Sequence, residues 1–150
     1  MSEDNGTLMR RWFEEVWNKG NAEAIDELFD TDGIVHGLSS DSGQPLRGPA
    51  GFKEFHKQFR NAFPDIVIAV EDVLVEGDKV AVRCHVTGSH KGEGLGFAAT
   101  HKPIEISGMS IVRIRNGKIV EGWNNFDFPT PELSQNKKDW YTAVSHWLKI

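Results

Sequence analysis

The chain has 150 residues, of which 39% are hydrophobic and 26% are charged, and its formal net charge is −5. This composition fits one globular domain with a buried core, and the negative charge argues against nucleic-acid binding, which calls for a basic surface. No apolar stretch approaches the ~20 residues of a membrane span, and the polar start does not resemble a signal peptide. A single cysteine, Cys84, excludes an internal disulfide and a cysteine-rich metal site. We therefore expect a cytoplasmic protein with one domain, residues 1–150.

Apolar residues in the first part of the chain recur every three or four positions, the spacing of a helix that packs one face on a core. Thr7 suits the N-cap of the first helix. Pro64 ends the helix that precedes the strands, because proline cannot continue a helix. The predicted elements are a helix over residues 7–19, a short helix after Asn21, a short strand over residues 34–36 and a helix over residues 48–63.

From residue 65 onward apolar residues alternate with polar ones, which is the period of a strand. The dipeptide Asn116-Gly117 predicts a two-residue hairpin turn, because both residues readily adopt positive φ values. Helices followed by a run of antiparallel strands predict an α+β fold with the helices on one face of the sheet. The predicted elements are strands over residues 66–75, 79–90, 104–115 and 118–127 and a C-terminal helical extension over about residues 134–149, outside a core of about residues 7–127.

The parity of the last two strands predicts which face is buried, since side chains alternate between the two faces. The even-numbered residues, Val120 among them, are mostly apolar or small, so we predict that they face inward. Among them Gly108 and Gly122 lack bulk, while Ser110 and Asn124 carry groups that can form hydrogen bonds. Missing bulk beside polar groups predicts a ligand pocket that these four residues line. The alternative is a closed core in which Ser110 and Asn124 bond each other or a trapped water molecule.

The odd-numbered face mixes charges with large apolar side chains, more than a solvated surface requires. We therefore expect a homodimer that forms through this outer face of the sheet. The alternative is an exposed amphipathic sheet. The residues of this face are Arg83, His85, Thr87, Glu105, Met109, Ile111, Arg113 and Trp123.

Residues 11–37, 48–68 and 77–123 resemble, in this order, the SnoaL-like polyketide (ester) cyclases of the nuclear-transport-factor-2-like superfamily. The most specific segments read TGSHKGE, ATHKPI and RIRNGKIVEGW. The resemblance implies a cone-shaped α+β barrel, in which a curved antiparallel sheet and the N-terminal helices on its concave face enclose a pocket. It also implies a small-molecule substrate and neither a cofactor nor a metal.

In these cyclases, which close a ring by intramolecular aldol condensation, an inward aspartate of the last strand acts as acid and base. Counted from the Asn116-Gly117 turn, that aspartate falls on Asn124, and a histidine of the same strand falls on Gly122. On the preceding strand a histidine falls on Ser110 and a glutamine on Gly108. An amide can orient a carbonyl or steady an oxyanion, but it cannot remove a proton from carbon.

Three residues are candidates for the proton carrier that Asn124 replaces. His36 ends the first strand near the expected mouth of the cavity, His90 shares the inner parity of its strand, and Asp127 follows the last strand. The alternatives are a loop histidine bonded to water, a strand-end residue that fixes the next loop, and a cap or surface ion pair. Trp12 and Trp17 are expected in the core and the pocket wall.

Two functions follow from this set of residues. The first is a cofactor-free enzyme, a cyclase or a related acid/base lyase or isomerase, which acts on a ring-sized apolar substrate with a rearranged proton carrier. The second is a non-catalytic small-molecule-binding module that keeps the cavity without the base. A third reading, an oligomeric scaffold with a filled cavity, stays open.

Overall fold

The structure is a computed structural model, and it describes residues 4–38, 44–93 and 99–127. The helix predicted over residues 134–149 lies outside the described residues. Within them, no helix is long and apolar enough to cross a membrane. The elements in chain order are α1 (Asn5–Arg11), a π-helical segment (Trp12–Asn18), α2 (Glu23–Leu28), β1 (Phe29–His36), β2 (Leu46–Arg47), α3 (Gly48–Ala62), β3 (Val67–Glu76), β4 (Lys79–Ser89), β5 (Pro103–Arg115) and β6 (Lys118–Phe126).

The six strands form one curved, unclosed sheet in the order β2-β1-β6-β5-β4-β3. All neighbouring strands are antiparallel except the pair β1 and β6, which is parallel. In this pair Val35 lies opposite Gly122 and His36 lies opposite Trp123. The α+β fold with helices on the concave face is confirmed. The first strand is longer than the predicted residues 34–36, and its position beside β6 places the end of β1 next to the inner residues of the last strand.

The hairpin between β5 and β6 turns at the predicted dipeptide, with φ of 53° at Asn116 and 73° at Gly117. The pairing then shifts between Arg113 and Ile114 because β6 carries one extra residue there. This bulge turns Ile119 into the core and leaves Val120 half-buried. The predicted inward position of Val120 is therefore wrong.

The first helix begins earlier than predicted, because the cap is Asp4 and not Thr7. Asp4 Oδ1 accepts a hydrogen bond from Gly6 N at 2.6 Å, while Thr7 is exposed. The helix then widens into π geometry, in which the N–H of residue 19 reaches back five residues to Glu14 O at 2.9 Å. The wider turn brings four neighbouring side chains into the core: Trp12, Phe13, Val16 and Trp17.

Two side chains of α3 hold the end of the π-helical segment, whose last carbonyl groups lack helical partners. His56 Nε2 lies 2.7 Å from Val16 O, and Arg60 Nη1 lies 2.5 Å from Trp17 O. Because His56 and Arg60 are one turn apart on α3, the two elements are fixed against each other with their aromatic residues facing the sheet.

Candidate functional site

A cavity lies between the π-helical segment, α3 and the concave face of the sheet. Its empty space, including the mouth, is about 630 Å³, and the centre of a water molecule can reach about 60 Å³ of it. The second volume corresponds to roughly four water molecules, so the cavity is open space and not a packing defect. Its lining includes Trp12, Phe13, Trp17, Phe52, Phe55, Phe59, Val86, Ile106, Ser110, Val112, Gly122, Asn124 and Phe126.

The wall on the helical side is aromatic. The ring centroids of Trp12 and Phe52 are 5.1 Å apart, and those of Trp17 and Phe59 are 5.4 Å apart. Rings at such distances and tilted to each other pack favourably and hold their orientation. Trp12 and Trp17 therefore lie in a wall of packed rings that faces the sheet.

The polar part of the lining is a short chain of hydrogen bonds on the sheet side. The hydroxyl group of Ser110 donates to Asn124 Oδ1 at 2.6 Å, and Asn124 Nδ2 donates to the main-chain oxygen of His36 at 3.0 Å. Ser110 is 2% exposed and pairs directly with Asn124 across β5 and β6. Ser110 and Asn124 thus form a hydrogen bond with each other, as the closed-core alternative expects. They also line an open cavity, as the pocket alternative expects.

The orientation of the Asn124 amide follows from its second partner, the main-chain oxygen of His36. A carbonyl oxygen only accepts hydrogen bonds, so the NH₂ group must face His36 O and the amide oxygen must face Ser110. The Ser110 hydroxyl hydrogen is then committed to Asn124. Towards the cavity this leaves one N–H of Asn124 as a donor and the lone pairs of Ser110 Oγ as acceptors.

The two glycines on the inner face differ in what replaces their missing side chains. A Cβ added at Gly122 would meet only Asn124 Nδ2, at 4.0 Å, so the space above this residue is open. A Cβ at Gly108 would lie 2.2 Å from Cδ1 of Phe126. The expectation that Gly108 lines the pocket is therefore wrong: the ring of Phe126 fills its space and faces the cavity instead.

His36 presents its side chain to the opposite side of the sheet. Its ring stacks on Trp123 at 5.8 Å between centroids, and its Nε2 lies 2.7 Å from Glu121 Oε2. Because residue 36 pairs with residue 123 on the outer face, its imidazole cannot reach the cavity, and only its carbonyl oxygen touches the site. The geometry does not support a pocket role for the His36 side chain.

His90 and Asp127 also lie outside the lining. His90 is 6% exposed, packs on Phe63 and has its Nδ1 3.2 Å from Thr100 Oγ1, so it anchors the start of the loop after β4. Asp127 is exposed, and its main-chain N–H donates to Ser107 O at 3.2 Å. The described lining therefore contains none of the three predicted proton carriers.

Metal and thiol chemistry find no support in the described ranges. No group of three or more His, Cys, Asp or Glu residues within them could hold a metal ion. Burial raises the pKa of the Cys84 thiol to about 12, so the thiol stays protonated and unreactive at neutral pH.

Sequence reasoning missed two contributions to the site. The spacing of the phenylalanines of α3 indicates one continuous buried stripe, but it does not indicate that this stripe forms a pocket wall. The main-chain oxygen of His36 leaves no signal in the sequence, because its role depends on the parallel pairing of β1 with β6.

Similar proteins share this architecture. Residues 7–133 match the sequence profile of a family described as SnoaL-like polyketide cyclase. IdmH from Streptomyces antibioticus, described as a putative polyketide cyclase, is 29% identical, with 83% of this chain and 93% of IdmH covered and a TM-score of 0.72. A protein from Acidithiobacillus ferrooxidans with the same description is 28% identical, with 85% and 92% covered and a TM-score of 0.68. AclR from Streptomyces galilaeus, described as a putative hydroxylase, is 25% identical, with 86% and 92% covered and a TM-score of 0.69. A search of curated proteins finds no match.

Proposed function

Because this chain belongs to the SnoaL-like polyketide cyclase family, we propose that its cone-shaped pocket binds a ring-sized, largely apolar small molecule without a cofactor. The observation that carries the proposal is the cavity itself, which opens between a wall of aromatic rings and the concave face of the sheet. Such a lining, with few polar groups, is typical of small-molecule sites.

The chemistry of the polar pair favours binding over proton transfer. By the resemblance to the family, Asn124 falls on the position of the acid/base aspartate, and an amide does not exchange a proton near neutral pH. The side chains of His36 and Asp127 lie on the outer face or at the surface, and His90 packs on Phe63 away from the lining. A non-catalytic binding module is therefore the function that this geometry supports best.

A second candidate is a cyclase, lyase or isomerase that works by polarising a carbonyl. It is favoured by the descriptions of the similar proteins and by the remaining N–H of Asn124, which can stabilise charge that develops on a carbonyl oxygen. In this case the proton must move to a group other than Asn124.

Titration with bicyclic and tricyclic ketones and esters separates the candidates, with tryptophan fluorescence reporting binding and chromatography reporting turnover. We expect saturable binding between pH 5 and 9 and no product. A product would establish the second candidate, and failure of every compound to bind would overturn the proposed function.

Two matched variants connect binding with the cavity. Val112 is 4% exposed and lines the cavity, so Val112→Phe should fill it and abolish binding. Val67 is 50% exposed on β3, and Val67→Phe should leave binding unchanged. Equal loss of binding in both variants would place the ligand elsewhere.

A further inference from the structure

The donor that Asn124 presents to the cavity is fixed in direction. Asn124 Nδ2 uses one hydrogen for His36 O, and Ser110 donates to Asn124 Oδ1, so the amide cannot flip without facing one oxygen with another. The second N–H of Asn124 has no acceptor in the described structure. An unused donor in an apolar lining favours a ligand that brings an acceptor.

The open space above Gly122 leads to this N–H. A Cβ at residue 122 would meet Asn124 Nδ2 at 4.0 Å and no other heavy atom within that distance. Gly122 and Asn124 lie on the same inner face of β6, two residues apart, and both line the cavity. A ligand atom above Gly122 is thus within reach of the amide.

The charge of the lining restricts what this atom can be. None of the described lining residues is Lys, Arg, His, Asp or Glu, so a carboxylate would leave water and gain no counter-ion from them. Burial of an unpaired charge costs far more than one hydrogen bond returns. A ketone or ester oxygen needs only one donor to be satisfied.

We propose that the pocket selects neutral ligands, with a carbonyl oxygen above Gly122 that accepts the second N–H of Asn124, and that it rejects the carboxylate of the same carbon skeleton. The inference rests on the proposed function, because it names the class of ligand for that pocket. Asn124 then serves as a permanently neutral donor at a position where a carboxyl group would change charge with pH.

Three compounds with one bicyclic skeleton test the inference: tetralin, 1-tetralone and tetralin-1-carboxylate. With binding followed by tryptophan fluorescence and calorimetry at pH 7, we expect 1-tetralone to bind about three- to tenfold tighter than tetralin, the gain of one hydrogen bond. We expect the carboxylate to bind at least about 100-fold more weakly than the ketone.

Two alanine variants provide the matched comparison. Gly122→Ala places a methyl group in the open space without a clash, so the protein should fold, bind tetralin and lose the preference for the ketone. Gly51→Ala, on α3, also meets no atom within 4 Å and should keep the preference. Thermal unfolding of both variants checks that they are folded.

The outcomes separate the inference from the proposed function. If tetralin binds as tightly as 1-tetralone, or if the carboxylate binds as tightly as the ketone, the inference is wrong and the pocket function stands. Retention of the ketone preference in a folded Gly122→Ala variant would also overturn it. If none of the three compounds binds, both statements fail.

Discussion

The side-chain amide of Asn124 donates a hydrogen bond to the main-chain oxygen of His36 at 3.0 Å and so connects β6 with the end of β1. The approach depends on Gly37, which has a φ of +83° and whose added Cβ would lie 2.1 Å from Asn124 O. A side chain at residue 37 would push the two strands apart. The direction of the Asn124 amide is therefore set by the backbone of a different strand.

Asn124→Asp should introduce a carboxyl group with a raised pKa. The ionised form would face His36 O at the distance where the amide now donates, whereas the protonated form can donate to it, and the apolar lining also disfavours the charge. The hydrogen bond that Ser110 donates would favour the ionised form and so lower the pKa. It is one bond set against the two effects that raise the pKa.

The sign of the pH dependence follows from the raised pKa. Relative to the unfolded value of about 3.9, the folded variant keeps its proton longer, so its stability is intact at low pH and falls as the pH rises towards the folded pKa, by about 1.36 kcal/mol for each unit of the difference. Denaturant unfolding from pH 3 to 8 measures this loss. Asn125→Asp, on the exposed neighbouring residue, is the control, and parallel curves for the two variants would contradict the prediction.

Gly108→Ala should destabilise the fold, whereas Gly122→Ala should not. The added methyl group at residue 108 overlaps the ring of Phe126 at 2.2 Å and forces it to move, at a cost of about 1–3 kcal/mol. The methyl group at residue 122 enters open space. Urea unfolding of the two variants side by side measures the difference, and equal stabilities would show that Phe126 does not occupy the space beside Gly108.

His56 should make the fold less stable below neutral pH. Burial lowers its pKa and nearby Arg60 lowers it further, while the bond to Val16 O acts in the opposite direction. With a folded pKa below the unfolded value of about 6.5, stability is complete above that pH and is lost as the pH falls towards the folded pKa.

His56→Gln removes the titrating ring and keeps a donor for Val16 O. The difference in unfolding free energy between the wild type and this variant should therefore shift in favour of the variant from pH 8 to pH 5. His101→Gln, at an exposed residue, is the control. A wild-type advantage that does not change over this range would contradict the depressed pKa.

The homodimer expected from the sequence remains a prediction. Ile111 and Met109 are 48% and 57% exposed on the outer face of the sheet, beside the ion pair of Arg83 with Glu71 at 3.0 Å. Ile111→Lys should convert a dimer to a monomer in sedimentation equilibrium, while Gln58→Lys on the exposed side of α3 should not. A monomeric wild type at micromolar concentration would overturn the expectation.

Local patterns predicted the parts of the fold that local physics controls. The turn at Asn116-Gly117, the helix over Gly48–Ala62 and the inward parity of β5 follow from residue type and periodicity alone. Thr7 and Val120 do not follow these patterns, because Asp4 caps the first helix upstream of Thr7 and a bulge in β6 turns Val120 away from the core. Neither feature alters the spacing of apolar residues, so no periodicity could reveal it.

By itself, the sequence determined the family and the α+β architecture, because these follow from residue patterns along the chain. The pairing of Ser110 with Asn124 depends in addition on the bulge in β6, since the register counted from the turn would place Trp123 opposite Ser110. Only the tertiary structure decided which candidates reach the pocket. The parallel contact of β1 with β6 turned the imidazole of His36 outward and its carbonyl oxygen inward, and the ring of Phe126 filled the space beside Gly108. Both outcomes depend on how residues far apart in the chain pack together, which the spacing of residues along one strand does not encode.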